Sequence, residues 1–122
     1  MANVKIDGSN ELHKDTSARI TKSEIADLHI GLDEVVALTP RKFKRGSNTA
    51  FEIGFIADEM VEEVPEVVQM YPKSSLTRND EDTEIVPAAI SYDKLTAVLT
   101  KALQEAIAEI ETLKGRLDAA GL

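Results

Sequence analysis

Two carboxylate clusters stand out among the side chains able to do chemistry. Glu59, Glu62, Glu63 and Glu66 fall within eight residues, and carboxylates that close can share a proton or collect a cation. On a short helix the same four residues are simply its wet face, which is the ordinary reading. Asp80, Glu81, Asp82 and Glu84 form the second cluster. They lack the alternating ligand spacing and the sharp-turn glycine of a calcium loop. His13 and His29 are isolated, and the chain has no cysteine. That removes disulfides, cysteine nucleophiles and thiolate metal sites, without fixing a compartment. Gly46 and Gly54 do not make a phosphate-binding loop. A serine hydroxyl becomes a nucleophile when a neutral lysine amine takes its proton. Ser9 and Lys14, and also Ser17 and Lys22, stand five apart, but that spacing is common by chance. No metal and no cofactor is indicated.

The charge balance narrows the possible partners. The chain carries 22 acids against 14 bases, a net charge of -8. Residues 1–45 hold 8 bases and 7 acids, whereas 46–122 hold 6 bases and 15 acids. An acidic body argues against a broad nucleic-acid surface. The basic run Arg41, Lys42, Lys44 and Arg45 is too small to reverse that and reads as a solvated strand end. No apolar run approaches the roughly 20 residues needed to cross a bilayer, and no signal peptide is visible at the start. The expectation is therefore no nucleic acid and no membrane.

With 122 residues and 4% aromatics, the chain suits one small α+β domain with an aliphatic core. Phe43, Phe51, Phe55 and Tyr92 are its largest candidate anchors. Residues 3–7 alternate and read as a strand closed by Asp7-Gly8. Ser9 to Lys22 has no core-forming period and reads as a surface linker or arm. Ile25, Leu28, Leu32, Val35, Val36 and Leu38 recur at helical spacings, so helix is expected from Ser23, divided near Gly31 and ended before Pro40. Arg41 to Lys44 suits a strand, Gly46-Ser47-Asn48 a turn, and Phe51, Ile53 and Phe55 a second strand with one shared face. Ala57 to Val64 reads as a helix broken by Pro65. Residues 67–70 suit an edge strand, 72–82 a mobile loop, and Ile85-Val86 a brief strand before Pro87.

The last element is the most informative. Asp93 is placed to cap a helix running to about Ala119. Leu99, Leu103, Ala106, Ile110, Leu113 and Leu117 are spaced 4, 3, 4, 3 and 4, a sustained heptad seam with charged residues elsewhere. A helix of about 27 residues is roughly 40 Å long, more than a domain this small covers. If each seam residue buries roughly 50–100 Å², the apolar gain is of order 10 kcal/mol per chain before ordering costs. Sister copies are the expected cover, and the alternative is a helix folded back on its own domain. The seam alone leaves dimer and trimer open.

Ile53-Gly-Phe-Ile-Ala-Asp-Glu-Met-Val-Glu-Glu-Val-Pro-Glu66 resembles the glycine-phenylalanine-isoleucine-alanine segment of the endosialidase-type intramolecular chaperones, the peptidase S74 family. Ile90-Ser-Tyr-Asp-Lys-Leu95, with Leu99 and Lys101-Ala-Leu-Gln-Glu105, resembles that family's tyrosine-lysine-leucine entry into its terminal coiled coil. Ile25, Leu28, Leu32, Val35 to Leu38 and Pro40 resemble its early segment. The likeness covers about residues 17–117.

The resemblance implies a C-terminal intramolecular chaperone of a phage tail spike, tail fibre or neck appendage. It implies a homotrimer that aligns its own upstream parent chain, acting in the host cytoplasm as a virion assembly intermediate. The organisation would be 1–16 as upstream segment or linker, 17–92 as α+β body, and 93–120 as trimeric coiled coil. Family members release themselves through a serine-lysine pair. The equivalent residues here are Ser17 and Lys22, with Ser9 and Lys14 as a second pairing of poorer downstream register. Ser17 would attack the Thr16 carbonyl with Lys22 as base, once per chain, and the chaperone would then be freed. Ala18 stands where the family usually has aspartate, and Ile20-Thr21 where it has arginine-leucine. A structural cap that never cleaves is therefore the alternative.

Overall fold

The computed structural model describes the backbone of residues 3–6 and 12–15 and the whole of residues 17–121. Six strands pair into three separate two-stranded antiparallel ribbons: β1 (Asn3–Ile6) with β2 (Leu12–Asp15), β3 (Arg41–Phe43) with β4 (Glu52–Gly54), and β5 (Val68–Pro72) with β6 (Ile85–Ile90). The α-helices among the described residues are α1 (Leu32–Val35), α2 (Ala57–Glu63), α3 (Ser74–Thr77) and α4 (Tyr92–Ala119). This is a small α+β body from which one long helix departs.

Met60, Val64, Val67, Leu95 and Val98 form the buried cluster, and Ala102 is buried beside it. The core is aliphatic, as the composition requires. It sits where α2, the 3-10 turn Pro65–Val67 and the first three turns of α4 meet, with Ile30, Val35, Leu38, Phe55, Val68 and Ile90 packed around it. The aromatic anchors expected from sequence are not at its centre. Phe51 and Tyr92 are exposed, and Phe43 and Phe55 are half-buried. A cluster this narrow is filled by branched and flexible aliphatic chains, leaving no space for a ring.

Several expected elements differ. The stretch from Lys22 to Ile30 is not helical. Glu24 adopts φ 52, a left-handed conformation that a helix cannot pass through, and Gly31 lies directly against α4. An ideal Cβ at Gly31 would collide with the Glu105 carboxylate and come within 3.0 Å of Lys101 Cγ. The chain therefore runs as a strap along the body and makes only the single turn of α1. Asp33 and Glu34 lie in that turn, where exposed amides favour negative charge.

The arm expected over 9–22 contains β2, which pairs with β1 in the register Asn3↔Asp15. A strand needs only main-chain partners, so it can form without an apolar period. The Asp7-Gly8 turn lies outside the described residues.

Residues 72–82 are also more regular than expected. α3 ends at Arg78 with φ 60, and the Lys73 and Ser74 N–H groups donate to the Glu84 and Asp82 carbonyls, both at 2.7 Å. β6 runs straight through Pro87, because the register skips there: Gln69 faces Ala89, and Met70 faces Pro87. A bulge is where a residue without an N–H can be held in a strand. Helix α4 starts two residues earlier than a cap at Asp93 would place it. Ser91 takes the cap position, and Asp93 sits in the first turn, where its charge faces unpaired amides.

Candidate functional site: the helix seam and the Ser17–Lys22 turn

Helix α4 has 28 residues, about 42 Å at 1.5 Å rise per residue. Leu95, Val98 and Ala102 bury one face against the body. The heptad seam lies beside that face, rotated round the helix axis by about 70° at 100° per residue. Leu99 and half-buried Ala106 stand at the boundary. Beyond it, Leu103 is 62% exposed, Ile110 54%, Leu113 55% and Leu117 50%. Ile107 is also exposed and widens the stripe. It is not among the seam residues expected from sequence, because a strict 4-3 count passes over a residue one place beyond a seam position.

The root of α4 is fastened at three places. The Ser91 N–H donates to the Val67 carbonyl at 2.7 Å. The Phe55 N–H donates to the Tyr92 hydroxyl at a long 3.4 Å. Further up the helix, Glu105 Oε1 accepts from the Leu32 N–H at 3.0 Å, while Glu34 Oε1 accepts from the Gly31 N–H at 2.8 Å. The Glu105 bond ties the strap that follows Lys22 to the helix at the level of Leu103 and Ala106.

Ser17 and Lys22 flank a 3-10 turn, Arg19–Thr21. Its bonds are internal: the Thr21 N–H and hydroxyl both donate to the Ala18 carbonyl, at 3.1 and 2.7 Å, and the Lys22 N–H donates to the Arg19 carbonyl at 3.0 Å. Both Ser17 and Lys22 are exposed, and no hydrogen bond joins their side chains. The structure thus brings the two residues to one turn, in water. Ser9 lies outside the described residues, as does the side chain of Lys14.

The acidic residues of α2 divide. Arg41 Nε and Nη2 donate to Glu59 Oε1 and Oε2 at 2.9 and 2.7 Å. That hydrogen-bonded pairing is the main reason the Glu59 carboxyl is held below its ordinary range and the Arg41 guanidinium above its own. Glu62, Glu63 and Glu66 are exposed and unpaired among the described residues. Among those residues, no group of histidine and acid side chains is placed to hold a metal ion, and no helix is long and apolar enough to cross a membrane.

No protein-family model, no curated protein and no solved structure matches the chain.

Proposed function

We propose that the chain is a trimerising C-terminal cap of the intramolecular-chaperone type, which gathers three copies of its upstream parent chain through α4. One observation carries the reading: an aliphatic seam more than four turns long stands exposed on a helix whose adjacent face already covers the body. Burial of such a stripe by sister helices is the favourable outcome open to it. The residue resemblance supports the number three and the phage-fibre parent. Three C-termini held together raise the effective concentration of the chains ahead of them, which lowers the entropy cost of starting a long β-structured trimer in register.

Self-cleavage between Thr16 and Ser17 belongs to the same proposal: Ser17 Oγ attacks the Thr16 carbonyl, the Thr16–Ser17 amide breaks as the ester forms with its nitrogen protonated, and water then hydrolyses the ester. A lysine base needs to lose water so that its neutral amine is populated near pH 7. Exposed Lys22 lacks that burial within one chain, so a neighbouring copy must supply it, and the chemistry then waits for assembly. The exposure of both residues also favours a second reading, a cap that stays attached and does no chemistry.

Sedimentation equilibrium tests the association: a trimer is expected at micromolar concentration, and a monomer there would refute the reading. Cleavage is tested by following intact mass of the domain behind a longer native upstream stretch, beside Ser17→Ala. Shortening at Thr16–Ser17 in the unaltered chain alone is the self-cleaving outcome. Two unchanged masses in a trimeric particle mark the inert cap.

A further inference from the structure

The β3–β4 ribbon carries an exposed apolar knob set among positive charges. Phe51 is 56% and Ile53 87% exposed. The ammonium groups of Lys42 and Lys44 lie 4.2 and 4.7 Å from the Phe51 ring centroid, close enough for cation–π attraction. Lys42 pairs with Ile53 across the ribbon, and Arg41 with Gly54. Successive strand residues face opposite ways. Because Arg41 reaches α2 through Glu59, the Lys42 and Ile53 side chains face away from α2.

On the α2 side lies a cleft of about 320 Å³ with the opposite character. Leu38, Phe55 and Met60 supply apolar lining, while Asp58, Glu62 and Glu63 supply carboxylates. We infer that the Phe51–Ile53 knob of one copy docks into this α2 cleft of the next copy, with Lys42 and Lys44 meeting Glu62 and Glu63. The inference rests on the trimeric reading of α4. The other acidic stretches fit less well: the Asp80–Glu84 loop lines none of the clefts described, and the acids of α4 are interleaved with Lys101, Lys114 and Arg116. A knob and a socket facing opposite ways make a head-to-tail contact, which closes only if a rotation axis returns it to the start. The three-fold axis of an α4 coil supplies that closure, and three identical contacts would ring its base.

The cysteine-free chain makes the test direct. Chains carrying only Ile53→Cys are mixed and reassembled with chains carrying only Glu62→Cys, then treated with a short bismaleimide. Leu113→Cys alone serves as the reporter of the helix seam. A 53–62 link between different chains is expected. Its yield should fall at least tenfold when Lys42→Glu and Lys44→Glu are added to the knob chain, and recover when Glu63→Lys is added to the socket chain. Linked Leu113 without any 53–62 link overturns the docking and leaves the helix seam standing. Absence of both links, in a monomeric sample, overturns docking and trimer together. A 53–62 link indifferent to the charge reversals also overturns the docking as described.

Discussion

Glycine at position 31 leaves the Glu105 carboxylate its place, since a Cβ there would force that side chain to move. Gly31→Ala is expected to lower stability by about 1–2 kcal/mol, because the displaced carboxylate gives up the Leu32 N–H it accepts from. Adding Glu105→Ala should cost less than the sum of the two changes, since the collision is then gone. Urea unfolding of the single and double variants measures both. The Arg41–Glu59 pair gives a prediction in pH. Glu59 has a lowered carboxyl pKa in the folded chain, so its contribution is complete above the ordinary carboxylate range and disappears as pH falls through the lowered value. The difference in unfolding midpoint between the unaltered chain and Arg41→Gln should therefore be largest near neutrality and shrink in acid. Both partners are exposed, so the effect is small and weakens further with salt.

At the scale of elements, the two stripes of α4 should respond differently to substitution. Leu95→Ala removes the largest side chain that α4 buries in the core, and a loss of about 2–5 kcal/mol is expected. Ile110→Asp lies on the exposed seam and should leave the body folded while abolishing association. Circular dichroism and sedimentation velocity on the same samples separate the outcomes. Legibility from sequence follows the same division. The helix Tyr92–Ala119 and its seam are readable because a 4-3 apolar repeat sustained over five intervals suits a helix and no strand. Ala57–Glu63 is readable because Pro65 marks its end. The strap is not, because Ile25, Leu28 and Leu32 keep helical spacing while the chain that carries Ile25 and Leu28 docks extended. Its partners are distant in sequence: Leu28 and Ile30 line a cleft with Val67 and Val98, and the Leu32 N–H donates to Glu105, 73 residues away. Pro87 misleads for a related reason: the bulge that accommodates it is a property of the ribbon pair, and β6 alone does not show it. The Ser17–Lys22 pair is visible only through the downstream resemblance, since nothing local to the turn distinguishes it.

For the whole molecule, the exposed seam of α4 has a thermodynamic consequence. A fold completed by sister copies gains stability by mass action, so its melting temperature depends on concentration. A tenfold dilution of the unaltered chain should lower the midpoint of thermal unfolding, whereas Ile110→Asp should melt at a lower temperature that dilution does not change. Differential scanning calorimetry over a concentration series reads both. A flat series for the unaltered chain would mean that α4 contributes nothing between copies. The seam and the acidic body also divide the work. In the proposed assembly apolar area would supply the association, and the net charge of -8 would discourage unspecific clumping of the same exposed stripe.

Only Ser91 separates β6 from α4, and that residue is itself pinned to Val67. There is no swivel at this junction. Torque about the long axis of the rod is handed directly to the β5–β6 ribbon, as a key passes its turn to a lock. Three rods winding around one another would thus swing all three bodies in step, and a chain that enters the bundle out of phase would carry its ribbon to the wrong bearing.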